Sequence, residues 1–461
     1  MRRFLVIILL FSFNGCVAEE TPLPEKEQLL SLHESFYDHL HVTEEHVSIY
    51  ASARMKELGL PECRVYRDEI SLFLDLVRYG DPARVLGIYR KKGKRRFDRE
   101  TRDLIHRWKE ETLLRSVKSG RGPLDGVRIA LDPGHIAGNY EEAIGERKYV
   151  WLNTPEERLQ IFEAELNLLT ARLLKRMLEK DGARVFMTRY GPGPVSGESF
   201  EHWVRYSMYR DLRRMVREGD IDRHTSWYIR ARAGEEARYR FFLKEIDRPR
   251  RAELINDFSP HLTISMHYNA TPAPASHYRK KIVRIRSIIN KEVEPGQKVE
   301  KIEDVVMETF STNDDYHIVF IPGAFMRGEL SEPRSRLALL RLVLSDDMER
   351  SRKLAGEVSR LFERRLDVPP VPESYEQFGH SISAGIPGVF ARNLRMTRLV
   401  SGPVILGEPL LQNNAREARM LAKRDISYHG MRINRRILEV ARCYHRAIRN
   451  YVRKYPPDER R

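Results

Sequence analysis

Three apolar runs in this chain end on a residue that can bind a metal or move a proton. VRIALDPGH alternates Val127, Ile129 and Leu131 before a tight turn and His135. HLTISMH alternates Leu262, Ile264 and Met266 before His267, and GPVILGE closes on Glu408. A fourth such residue, Glu163, opens the stretch EAELNLLTARLLKRMLEKDG. Zinc in a hydrolase usually takes three nitrogen or oxygen ligands and leaves a fourth position to water; His135, Glu163 and His267 offer such a set. No His-Glu-x-x-His occurs, which excludes the helix-borne protease site. Each residue also has a plain structural reading. Asp132-Pro133-Gly134 reverses a chain readily, because Pro presets φ and Gly tolerates positive φ. Glu163 fits a surface helix, and His267 a strand end satisfied by a carbonyl.

The elements that must position these residues follow from periodicity. Period-two alternation makes strands of VRIALDP, HLTISM and GPVILGE, and ARVFMTR reads as another. Leu166, Leu169, Leu173 and Met177 form one helical stripe that begins at Glu163 and ends at Gly182. Strand, helix, strand order predicts an α/β fold with a mostly parallel sheet flanked by helices. In such sheets ligands gather beyond the carboxyl ends of the strands, where His135, His267 and Glu408 would meet. Two tracts interrupt the scaffold: about 190–249, with EEARYRFFLKEI, and about 271–305, with the basic HYRKKIVRIRSIINK. Both read as inserted segments, either solvated faces or walls that contact substrate or a partner. A last amphipathic helix carries Ile437, Ala441, Tyr444, Ile448 and Tyr451 on one stripe.

The four residues and their contexts resemble a known family. Asp132-Pro133-Gly134-His135, Glu163-Ala164-Glu165-Leu166-Asn167-Leu168, Met187-Thr188-Arg189 and Ile264-Ser265-Met266-His267-Tyr268-Asn269-Ala270 occur in the order seen in zinc-dependent N-acetylmuramoyl-L-alanine amidases. GPVILGEPLLQNNARE is similar to that family's last strand. The resemblance implies an amidase/phosphorylase-like fold, with His135, Glu163 and His267 as Zn2+ ligands and Glu408 as the catalytic glutamate. Asn414 and Glu417 match a trailing pair. It implies hydrolysis of the amide between N-acetylmuramic acid and the L-alanine of the stem peptide in peptidoglycan. Two alternatives stay open: a non-catalytic wall-binding or regulatory protein on the same fold, and a zinc peptidase acting within the stem. Ile136 and Ala137 stand where the family usually has Gly-Gly, and Pro409 and Leu410 depart from its pattern after the glutamate.

Length and charge set the remaining bounds. A chain of 461 residues holds two or three domains, or one large domain with insertions. Its net charge of +15 favours an anionic wall or membrane surface, and no aromatic-studded basic motif points to nucleic acid. MRRFLVIILLFSFNGCVAEE has a basic start and an apolar run from Phe4 to Phe13, the layout of a secretory signal over residues 1–18. The run is too short to span a bilayer comfortably. Cleavage before a lipidated Cys16 or after Ala18 both fit, and either places the protein in the periplasm or cell envelope. Residues 19–120 read as a helical region, open to contact with wall, membrane or a regulator. Within it RRFDRETRDLIHRWK shares the Phe-Asp-x-x-Thr start of small peptidoglycan-binding modules but reads better as a solvated helix with Ile105 and Trp108 facing a core. The amidase-like domain then occupies 121–455. Only Cys63 and Cys443 remain beyond the leader, so the chain has at most one disulfide or else two free thiols.

Overall fold

A computed structural model of the chain describes residues 29–30, 34–114, 122–138, 140–146, 148–153, 158–271, 309–326, 328–372, 380–428 and 430–457. The leader with Cys16 and nearly all of the basic tract at 271–305 lie outside these residues. The amino-terminal region is helical, with α1 (Ile70–Tyr79) and α2 (Arg99–Leu114), but it also contains a sheet that the helical reading lacked. Strands β1 (Leu40–Val42), β2 (His46–Ile49) and β3 (Cys63–Tyr66) pair antiparallel. Cross-strand register sets Val47 opposite Val65 and Ile49 opposite Cys63, and all four side chains are buried.

The central sheet has seven strands. In chain order they are β4 (Arg128–Pro133), β7 (Arg184–Met187), β8 (Leu262–Met266), β9 (Ile318–Ile321), β10 (Ser381–Ile386), β11 (Val389–Arg392) and β12 (Val404–Glu408). The hairpin β5 (Tyr149–Asn153) and β6 (Arg158–Phe162) stands apart from it. The order across the sheet is β10-β11-β9-β12-β8-β4-β7. Pairs β7–β4, β4–β8, β8–β12 and β9–β11 are parallel, whereas β12–β9 and β11–β10 are antiparallel. The expected mostly parallel α/β sheet is therefore present, mixed on one side.

Register explains why the polar strand ends meet. Pro133 and Gly407 both lie opposite Met266, so β4, β8 and β12 finish level. The ladder runs one bond further on each side, with Gly134 N donating to Met266 O (3.0 Å) and His267 N to Gly407 O (3.0 Å). Alternate side chains go to opposite faces. Ile129, Leu131 and Ile264 join a large apolar cluster with Leu166 and Leu173 of α3 (Glu163–Lys180). Tyr444 and Ile448 of the carboxyl-terminal helix Arg435–Lys454 belong to the same cluster. Ala130 and Val404 face the other way, against Ala252 and Ile255.

The amino-terminal region belongs to that same large cluster through Val47, Phe73, Leu76 and Ile105. Polar bonds tie it on as well: Ser401 Oγ donates to Val77 O (3.1 Å), and Arg336 Nη2 to Glu62 Oε1 (3.0 Å). Trp108 packs half-buried against the cluster, as its helical stripe predicts. Cys63 and Cys443 are both free and buried, so the one disulfide that the count allows is not formed. A shared core predicts shared unfolding. Leu76→Ala should destabilise the whole chain by about 2–5 kcal/mol, read as one cooperative urea transition; a second, separate transition would show that residues 34–114 fold independently.

Candidate metal centre

The turn after β4 is held in a conformation that it would not adopt alone. His135 has φ of +61°, in the left-handed region that costs a non-glycine residue free energy. Its surroundings over-determine that shape. Arg189 donates to Pro133 O (3.0 Å) and Gly134 O (3.1 Å), Asn167 to Gly134 O (3.0 Å), and Arg251 to Pro133 O (2.9 Å) and His135 O (3.1 Å). Asp132, one residue before the proline, accepts from Thr188 Oγ1 (2.7 Å), Ser265 Oγ (2.9 Å) and Arg251 Nη1 (3.1 Å). Burial favours a protonated Asp132, but Arg251 and the two hydroxyls hold its carboxyl below the usual carboxylate range.

Glu163 is the first residue of α3, where the helix dipole favours a carboxylate. It is buried. Its Oε1 lies 2.9 Å from His267 Nδ1 and 3.3 Å from His135 Nε2. Its Oε2 lies 3.4 Å from Lys148 Nζ and accepts from Gln412 Nε2 (3.3 Å). Burial alone would raise its pKa; its interactions with His135 and Lys148 and the hydrogen bond from His267 outweigh that and hold it well below the ordinary value. Burial also pushes the His135 imidazole down to about 3, so its ring is neutral at physiological pH and has a lone pair to give. The two imidazoles stand edge to face, 4.9 Å between centres.

Candidate ligand atoms of His135, Glu163 and His267 all lie within 4.8 Å of one another. Two imidazoles and one carboxylate are a donor set that catalytic zinc accepts. Close approach of the chains makes the cluster possible. A Cβ built on Gly134 would fall 2.2 Å from His267 Cε1, so only glycine lets β4 pass under that ring. Glu408 ends β12 half-buried beside the cluster and outside it. Burial raises its pKa, and its carboxylate makes no hydrogen bond among the described residues.

Other sequence candidates have structural work. Asn414 caps the helix Ala415–Ala422, accepting from Arg416 N (2.9 Å) and Glu417 N (3.0 Å). Glu417 forms a buried two-pronged pair with Arg436, at 2.6 and 2.8 Å. Ile136, Ala137 and Leu410 are buried, so the departures from the family pattern supply core. His380 is exposed at the start of β10 and stands outside the cluster. Periodicity offered no signal for Glu146, whose Oε2 lies 3.5 Å from His135 Nδ1, nor for Lys148, Arg251 or Gln412, which reach the site from elsewhere in the chain.

The fold is an α/β protein with a mostly parallel sheet flanked by helices, and its cluster could hold a metal ion. Residues 129–429 match the family model described as N-acetylmuramoyl-L-alanine amidase, and the chain belongs to that family. The probable cell wall amidase LytH of Staphylococcus aureus is 40% identical over 79 residues, 17% of this chain and 23% of the relative. The chain thus spans about a quarter of the length of the curated relatives it matches. Among solved structures, the amidase Ami1 of Mycobacterium smegmatis aligns at 13% identity and TM-score 0.36, over 71% of this chain and 98% of its own. The CwlD amidase of Clostridioides difficile, solved in complex with the GerS lipoprotein, aligns at 14% and 0.35, over 71% and 99%.

Two substitutions probe the geometry. Gly134→Ala should displace His267 and weaken zinc binding about 10-fold to 100-fold, the range seen when a ligand's support is altered; chelator competition measures it, and unchanged affinity would remove His267 from the ligand set. Arg251→Met should cost about 3–5 kcal/mol in urea unfolding, because it strands Asp132 as a buried, uncompensated charge.

Proposed function

We propose that this chain is a zinc-dependent N-acetylmuramoyl-L-alanine amidase of the cell envelope, which hydrolyses the amide joining N-acetylmuramic acid to the L-alanine of the stem peptide. The observation that carries the reading is the convergence of His135, Glu163 and His267 beside an unengaged Glu408. His135, Glu163 and His267 would hold the ion. Zinc, when bound, polarises a scissile carbonyl and acidifies a water.

The chain's own residues do the rest. Glu408, with a carboxyl whose proton affinity burial has raised, takes a proton from the attacking water and passes it to the leaving amine of L-alanine. The C–N bond breaks, leaving a carboxylate on the lactyl group and a free amine on the stem. Arg189, Arg251 and Asn167 hold the carbonyls of the turn, so His135 keeps its aim during turnover. Lys148 neutralises the outer oxygen of Glu163. The envelope location rests on the apolar amino-terminal run; no described helix is long and apolar enough to cross a membrane.

Digestion of purified sacculi tests the reading. Mass analysis should find intact stem peptides that begin with a free L-alanine amine; stems cut internally would make the protein a peptidase, and bound zinc with no release would make it non-catalytic. Glu408→Gln should retain zinc and lose turnover by about 100-fold to 10,000-fold. His135→Ala and His267→Ala should each lose stoichiometric zinc by elemental analysis, and Glu163→Ala should bind it more weakly.

A further inference from the structure

The tract between β7 and β8 has a core of its own and an outer face which that core does not use. Phe200, Trp203, Leu212, Met215, Ile229 and Phe242 pack together, separately from the main cluster. Helices α4 (Met208–Glu218) and α5 (Arg223–Ala231) lie over this core. They leave Tyr206, Tyr209, Trp227 and Tyr228 outside, between 43% and 63% exposed. Between residues 203 and 232 eight arginines accompany four acids, and the acids are all engaged. Asp211 accepts from Trp203 Nε1 (3.2 Å), Glu218 from Arg214 (3.1 Å), and Asp222 from Thr225 N at the start of α5 (2.6 Å). Asp220 pairs with Arg334 (3.3 Å).

Arg213, Arg217, Arg223 and Arg230 line a shallow groove of about 470 Å3 together with Trp227. None of these four has an ion-pair partner among the described residues. The guanidiniums of Arg213 and Arg230 lie 5.6 and 5.7 Å from the centre of the Tyr209 ring, and that of Arg232 lies 5.9 Å from Trp227. Four wet aromatic rings interleaved with uncompensated guanidiniums need a partner that is anionic and also takes rings out of water.

We propose that this outer face docks the protein on an anionic phospholipid bilayer. Tyr and Trp side chains favour the headgroup level of a membrane, with the ring half-immersed and the polar tip wet. Arginine at that level meets lipid phosphates, worth about 1 kcal/mol per residue near an anionic leaflet. A soluble polyanion would satisfy the arginines and leave the rings in water. The groove is shallow and its lining faces outward, as contact with a flat surface requires.

Sedimentation of the full chain with vesicles at physiological salt tests the proposal. Vesicles of equal phosphatidylglycerol and phosphatidylcholine should hold at least about ten times more protein than phosphatidylcholine alone; the neutral vesicles include any contribution of the amino-terminal leader. Arg213→Gln, Arg217→Gln and Arg230→Gln combined should lower the affinity for the anionic vesicles about 100-fold and abolish the anionic preference, with zinc content and urea midpoint unchanged. Trp227 emission should shift to the blue on anionic vesicles, a change absent from Trp227→Phe. Undiminished anionic preference in the triple variant would overturn the proposal, as would equal binding to neutral vesicles. Displacement from vesicles by soluble poly(glycerol phosphate) at equal phosphate concentration would assign the groove to a polymer instead.

Discussion

A single buried carboxylate, that of Asp132, ties together the parts of the molecule that the metal centre needs. It accepts hydrogen bonds from residues just beyond β7, within β8 and at the start of the helix Arg248–Phe258. A buried charge is tolerable only when it is paired and fully hydrogen-bonded. The three elements must therefore come to Asp132 together or none can stay. Once they have, β4 and β8 are level, Gly134 slides under His267, and His135 is forced through a positive φ toward Glu163. The strain at His135 is spread over five hydrogen bonds to the carbonyls of the turn, which no isolated tetrapeptide could supply.

Glu163 completes the centre from the other direction. A carboxylate buried at the head of a helix, between two imidazoles and a lysine, stays ionised because the lysine's charge and the hydrogen bonds it accepts outweigh its burial. Glu408 is the counter-example: burial outweighs the opposing charges of His267, Lys148 and Arg392, and its proton affinity rises. The site at the carboxyl ends of the strands thus carries two carboxylates in opposite electrostatic states, one suited to hold a cation and the other to exchange a proton.

Local pattern revealed the strands that end at Pro133, Met266 and Glu408 and the helix that begins at Glu163, because each has a regular alternation or stripe, the strands buried along nearly their whole length and the helix along one face. The same reading missed β1 to β3, which have only three or four residues each, too few for a period to declare itself against the neighbouring helices. It missed Arg251 and Gln412 for a different reason. Their side chains gain meaning from Asp132 and Glu163, 119 and 249 positions away, and no spacing rule connects residues that far apart. The aromatic and arginine face of α4 and α5 was visible only as charge; its coherence depends on which rings the small core of the insertion takes in and which it leaves out.

Arg251 has an evolutionary consequence. It begins a helix that follows an insertion with a core of its own, yet its guanidinium reaches the turn that aims His135. Asp247, the residue before that helix, pairs with the same guanidinium at 2.7 Å. The insertion is therefore no interchangeable cassette. A lineage that shed it would keep Arg251 and lose Asp247, the acid that fixes the guanidinium beside Asp132. Acid at 247 and base at 251 should come and go together among descendants, and a graft of this tract onto another amidase would need a recipient that already has the arginine.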